Sequence, residues 1–282
     1  MKRIRFASAV LFLMVLLPAL PVSARPSATL IAFDQLIRPN QSVRLSVRLV
    51  TGGLSFVRRP ISGERIEFLI EDRSLGQTLT GGDGMAVKRF TPSKPGLFVI
   101  TVRLVENPRY EADAAELVVA CRNASNPILP VVLSSVRTPS QPPAVPFSPA
   151  PSSEAMPEAA QVLSKLSDRY QLVYIETGDE TLGPDVKDWL ARQDFPAAPL
   201  FVWPLPGEAG RRAERFVERL QEVRDEGWKN IPAGITRSTA DAEGLARMKI
   251  KAIVMAEEDD EIELPKGATK VTSWKAVQSL IK

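Results

Sequence analysis

Chemistry in this chain has to be done by hydroxyls, carboxylates and cations. The sequence contains no histidine and a single cysteine, Cys121. Without imidazole there is no Ser-His-Asp or Cys-His activation of a nucleophile. His-ligated zinc, copper and haem are excluded for the same reason. One thiol also rules out cysteine-rich metal sites, iron–sulfur clusters and an intramolecular disulfide. It reads as a buried apolar thiol at a strand end. A serine nucleophile would need a lysine or carboxylate base, and no such motif stands out. The polar groups that remain gather where apolar runs stop: Ser134-Ser135-Val136-Arg137-Thr138, Glu176-Thr177, and Thr236-Arg237-Ser238 with Asp241 three residues on.

The elements that position them alternate between two periods. Strands are expected over 129–135, 171–176, 200–203, 231–235, 251–255 and 269–271. Helices are expected over 158–168, 184–193, 208–226, 239–248 and 273–281. In the third helix Ala213, Phe216, Val217, Leu220 and Val223 share a face and Gly227 follows the last turn. Repeated strand–helix units predict a parallel sheet covered by helices on both faces, with ligands beyond the carboxyl ends of the strands. The stretch 137–157 carries prolines at 139, 142, 143, 146, 149, 151 and 157, a composition for an extended loop.

The first half has a different pattern. Val43-Arg44-Leu45-Ser46-Val47-Arg48-Leu49 alternates strictly, as does a strand with one wet face. Further strands are expected over 66–70, 98–104 and 117–120, with turn chemistry at Gly81-Gly82-Asp83-Gly84. Short strands without helical periodicity predict an antiparallel sandwich. Arg44, Arg48 and Arg103 read as a solvated strand face, or as a basic stripe.

The chain opens with Lys2, Arg3 and Arg5, an apolar stretch to about Leu20, and Val22-Ser23-Ala24. Charged start, short apolar core and small-residue exit predict a secretory signal peptide over 1–24, cleaved after Ala24. Cleavage removes three of the 36 basic residues and none of the 33 acidic ones, leaving equal numbers. Bulk charge therefore argues against nucleic acid as a partner. Export to a periplasm or beyond the cell is expected, with no transmembrane segment after cleavage and no cofactor. An unidentified protein or envelope component is the expected partner.

Two resemblances give these patterns families. Ile61-Ser62-Gly63-Glu64-Arg65-Ile66-Glu67-Phe68, Gly84-Met85-Ala86 and Phe90-Thr91-Pro92-Ser93-Lys94-Pro95-Gly96-Leu97-Phe98 resemble the bacterial immunoglobulin-like domains of exported proteins. This implies a sandwich over 27–121 that serves as a spacer or binding module. The order strand, Pro-rich loop, helix, Leu172-Val173-Tyr174-Ile175-Glu176-Thr177, Val186-Lys187-Asp188-Trp189-Leu190, Phe195-Pro196 and Ala233-Gly234-Ile235-Thr236-Arg237-Ser238-Thr239-Ala240-Asp241-Ala242 resembles the haloacid-dehalogenase superfamily. Lipin-type phosphatidate phosphatases are the most similar branch. The fold class expected is therefore multi-domain: an all-β immunoglobulin-like sandwich, then a Rossmann-like α/β domain over 126–282.

In that superfamily an Asp-x-Asp-x-Thr motif supplies the nucleophile and the general acid–base group. Here Ser134 and Val136 fall on the two aspartates, and Thr138 keeps the threonine place. The metal-binding aspartate falls on Arg237, where Mg²⁺ would want a hard oxygen ligand. Asp241 matches a retained acidic position or completes a capping box with Ser238. Thr177 reads as a phosphate-binding hydroxyl or a strand end, and Lys229 as a phosphate-binding or a surface lysine. The resemblance implies a non-catalytic pseudo-phosphatase whose pocket could still hold a phosphate or carboxylate beside Arg237. The alternatives are an active Mg²⁺-dependent phosphatase acting on phosphatidate or another phosphomonoester, and an envelope adhesion module. The acidic run Glu257-Glu258-Asp259-Asp260-Glu261 reads as a solvated loop without the glycine and spacing of a Ca²⁺ site.

Overall fold

The computed structural model describes residues 25–52, 58–138 and 154–281. The expected signal peptide, and the Pro-rich loop apart from its two flanks, lie outside the described residues. No helix among those described is long and apolar enough to cross a membrane.

The described residues of the amino-terminal half form eight strands: β1 (Ala28–Phe33), β2 (Gln35–Ile37), β3 (Val43–Thr51), β4 (Arg65–Ile70), β5 (Arg73–Leu79), β6 (Met85–Phe90), β7 (Gly96–Leu104) and β8 (Ala115–Cys121). They form two sheets, in the orders β1-β3-β6 and β2-β8-β7-β4-β5. All pairings are antiparallel except β2 with β8. Leu45, Val47 and Leu49 from one sheet meet Ile66, Phe68, Ile100, Val102, Leu117 and Val119 from the other. At Gly84 the backbone takes φ +76°, and a Cβ there would lie 2.6 Å from the Leu49 carbonyl oxygen. Glycine is thus required where this turn feeds β6.

Strands β3 and β8 show how sequence patterns report surroundings. In β3 only Leu45, Val47, Leu49 and Val50 are buried, with Arg44 exposed. In β8 five consecutive residues from Leu117 to Cys121 are buried. Leu117, Val119 and Cys121 face the sandwich core. Ala120 faces the second half of the molecule, in a core with Val173, Trp203 and Phe216. A strand covered on both faces loses its alternation.

The carboxy-terminal half comprises β9 (Ile128–Val132), α1 (Ala159–Ser167), β10 (Gln171–Thr177), α2 (Gly183–Arg192), β11 (Leu200–Trp203), α3 (Ala209–Asp225), β12 (Ala233–Thr236), α4 (Thr239–Arg247), β13 (Lys251–Met255), β14 (Thr269–Val271) and α5 (Trp274–Leu280). Its sheet is parallel and six-stranded, ordered β11-β10-β9-β12-β13-β14. Helices α1, α2 and α5 pack on one face, and α3 and α4 on the other.

Two expected strand bounds shift for physical reasons. The first strand ends at Val132, because Leu133–Ser135 turn into a 3-10 helix in which Ser135 Oγ donates to the Val132 carbonyl at 2.7 Å. The strand expected from residue 231 begins at Ala233. Pro232 has no N–H and contributes only its carbonyl, to Lys251 N.

Candidate functional site

The strand order reverses at β9. Strands β10 and β11 run out to one side of it, β12 to β14 to the other. Between β9 and β12 only Ile235 and Val131 stand in register. Beyond the carboxyl ends of these two strands is the crevice where open α/β sheets take ligands.

In this crevice each arginine is held by neighbouring groups. Arg237, one residue past β12, spans it: Nε donates to the Ser134 carbonyl at 3.2 Å and Nη2 to the Arg137 carbonyl at 3.4 Å. Nη2 also lies 3.5 Å from Met156 Sδ. Burial pulls the Arg237 pKa down, while the Glu257 and Asp260 carboxylates oppose that shift. The guanidinium remains a cation throughout the working pH range.

Arg137 is held from two sides. Its Nη2 is 2.6 Å from Glu176 Oε2, a contact whose direction is poor for a hydrogen bond, so that it is an ion pair by distance. Its guanidinium carbon lies 4.9 Å from the centre of the Trp189 ring, within cation–π range. The other Glu176 oxygen accepts from Thr177 N at 2.9 Å.

The third arginine, Arg212, stands in the first turn of α3. It grips Asp241 with two hydrogen bonds, Nε to Oδ1 at 2.6 Å and Nη2 to Oδ2 at 2.8 Å. Its Nη2 also reaches Thr177 Oγ1 at 3.1 Å. The Asp241 side chain is fully buried, and Thr236 Oγ1 donates to Oδ2 at 3.2 Å. The aspartate backbone takes part in a cap as well: Ser238 Oγ accepts from Asp241 N at 3.3 Å. Its carboxylate turns to Arg212 instead of back to the Ser238 N–H, which donates to Thr236 Oγ1.

Of the seven positions named from sequence, the fold brings four to the crevice: Ser134, Thr177, Arg237 and Asp241. Ser134 is exposed and offers its carbonyl. Val136 points into the core, fully buried among apolar side chains. Thr138 is drawn off by the far flank of the Pro-rich segment, its N and Oγ1 both donating to the Glu154 carbonyl at 2.9 and 3.1 Å. Lys229 lies at the opposite end of the sheet. It is exposed, next to Asn230, whose carbonyl accepts from Ile128 N at the start of β9.

Sequence reasoning missed Arg212 as a site residue. One signal was available: a cation in the first turn of a helix opposes the dipole and needs a partner. The basic stripe is also corrected. Arg44 and Arg48 lie on β3, whereas Arg103 lies on β7 of the other sheet. Arg48 pairs with Glu180, and Arg103 donates to Glu67 at 2.7 and 2.9 Å. Near the crevice rim, Asp260 Oδ2 accepts from Glu257 N, while Lys270 Nζ donates to the Glu258 and Asp260 carbonyls.

A separate cleft of about 630 Å³ opens between the halves. Arg48, Val50, Arg58, Pro60 and Asp83 line one wall, and Asp179, Glu180 and Thr181 the other. Arg58 Nη1 donates across it to the Thr181 carbonyl at 2.9 Å.

No protein-family model matches the chain, and no curated protein does. Solved structures similar to part of it include the CARDB domain of a Pyrococcus furiosus protein, at 14% identity and TM-score 0.24, covering 34% of this chain and 86% of that one. The D0–D1 domain of intimin is 18% identical with TM-score 0.21, covering 32% and 45%. Fibronectin(III)-like modules of Clostridium thermocellum are 9% identical with TM-score 0.25, covering 34% and 47%.

Proposed function

We propose that this is an exported, non-catalytic binding or structural protein, in which an immunoglobulin-like domain precedes a haloacid-dehalogenase-like domain that has lost its chemistry. One observation carries the reading. At the crevice each arginine and each carboxylate that faces it is engaged by a neighbour: Arg237 on two carbonyls, Arg137 on Glu176, Arg212 on Asp241.

Phosphoryl transfer through an aspartyl-phosphate needs a free carboxylate and a Mg²⁺ site of hard oxygens. The residues present do not fit Mg²⁺. Val136 offers no side-chain oxygen, a guanidinium sits on the Ser134 and Arg137 carbonyls, and both Asp241 oxygens are taken.

The test is phosphatase activity of the purified protein, with and without Mg²⁺, on an aryl phosphate and on phosphatidate. Absence of turnover above buffer is expected. Turnover that requires Mg²⁺ and disappears in Asp241→Ala replaces this reading with an active phosphatase.

The ligand chemistry best matched to the crevice is an anion. Arg137 and Arg212 are each paired with a carboxylate, whereas the hydrogen-bond acceptors of Arg237 are carbonyls and a thioether, with Glu257 and Asp260 acting on it only through space. Calorimetry with inorganic phosphate should show binding that Arg237→Ala abolishes. No heat, or equal heat from the variant, removes the anion from the proposal and moves the binding role to the amino-terminal domain, as in an envelope adhesion module.

A further inference from the structure

The junction between the halves is built by a reciprocal exchange of buried charge. Asp34 lies between β1 and β2, and its side chain is fully buried. Its Oδ1 accepts from Val118 N of β8 at 2.8 Å. Its Oδ2 crosses to the other half and accepts from Leu200 N, the first residue of β11, at 2.8 Å. In return, α2 sends Lys187 into the sandwich. Lys187 Nζ donates to Asp34 Oδ1 at 2.6 Å, to the Glu116 carbonyl at 2.7 Å and to the Ala32 carbonyl at 3.3 Å. An ammonium has three N–H groups, and here all three are spent on the opposite half.

This arrangement solves two problems at once. Strand β11 is an edge of the parallel sheet, and an edge leaves backbone donors unpaired. Asp34 takes one of them. A carboxylate taken out of water is costly unless its lone pairs are filled, and those of Asp34 are filled by two backbone N–H groups and an ammonium. Apolar contacts surround the exchange. Leu36 and Ala120 of the sandwich share a core with Val173, Trp203 and Phe216. Arg48 with Glu180, and Arg58 with Thr181, bridge the same halves.

We infer that the two halves form a single cooperative folding unit, keyed by the Asp34–Lys187 exchange, so that neither wall of the cleft between them moves as an independent domain. The parallel half depends on a carboxylate that only the sandwich supplies.

The chain carries its own probes. All four tryptophans, Trp189, Trp203, Trp228 and Trp274, belong to the parallel half. The one cysteine, Cys121, is buried in the sandwich. Unfolding in urea is followed on the full chain by tryptophan fluorescence and, in parallel samples, by pulse labelling of the thiol. In the wild type the two transitions are expected to coincide. Asp34→Asn places an amide donor against the N–H of Leu200 or the Lys187 ammonium. It should move the tryptophan transition, in the half it does not belong to, by roughly a hundredfold or more in the unfolding equilibrium constant. Lys187→Met should move the thiol transition by a similar factor. Separate transitions in the wild type overturn the inference, as does an Asp34→Asn change confined to the thiol signal. The wild-type comparison needs no variant, so it decides the matter even if a substituted chain fails to fold.

Discussion

Asp34 and Asp241 are both aspartates with fully buried side chains, each held by one cation, yet they do different work. Asp34 accepts from two backbone N–H groups and a lysine, and its partners come from both halves of the molecule. Asp241 is gripped by a two-pronged arginine and a threonine hydroxyl, all from the parallel half. The first carboxylate joins two sheets, and the second closes a crevice. The difference shows that burial and an ion pair alone say little about a carboxylate's role. Where its partners come from in the chain says more.

Replacing each aspartate sharpens that contrast. Asp34→Ala strands an ammonium and two N–H donors at once. It should cost about 4 kcal/mol, seen as a loss of urea midpoint by both fluorescence and thiol labelling. Asp241→Ala leaves Arg212 without its carboxylate and should cost about 3 kcal/mol, with the crevice and α3–α4 packing loosened first. Hydrogen exchange would locate that effect, and equal loosening of the sandwich would erase the contrast. Replacing Arg212 by Met together with Asp241 by Leu should recover most of the loss, because an apolar pair needs no solvation. A double variant as unstable as Asp241→Ala would mean the pair does more than satisfy itself.

Smaller effects belong to the rim. Arg48 and Glu180 are each about one-third exposed, so Arg48→Ala should cost under about 1 kcal/mol and depend on salt. A larger cost, seen as a fall in the urea midpoint, would move the joining role from Asp34 to this pair. Burial raises the Asp34 pKa above its ordinary 3.8, against the pull of Lys187 and of the Val118 and Leu200 N–H groups.

Much of this was legible in the sequence. The period change near residue 126, the run of strand–helix units and the alternating β3 follow from where apolar residues recur. The turn at Gly81-Gly82-Asp83-Gly84 follows from its turn-forming residues. Less of the crevice was legible. Ser134, Thr177, Arg237 and Asp241 were placed by strand ends, which pattern reasoning locates well. Arg212 lies 29 residues before Asp241 in the chain, and only the packing of α3 beside α4 brings them together. Lys229, open in the sequence between a phosphate-binding and a surface lysine, is exposed at the far end of the sheet, because a lysine after a helix looks the same at either end.

The sequence by itself determined the absence of imidazole chemistry and of an intramolecular disulfide, the two periodicities, and the residue types at 134, 136 and 237. These are local facts, fixed by residue type and by backbone period. Tertiary structure decided where the two halves meet. The unbroken apolar run of β8 signals two covered faces, but nothing in it says what covers the second. That choice rests on Asp34 and Lys187, 153 residues apart, whose desolvation is tolerable only when each fills the other's hydrogen bonds. No local rule encodes such a condition, because it is met only by the assembled fold.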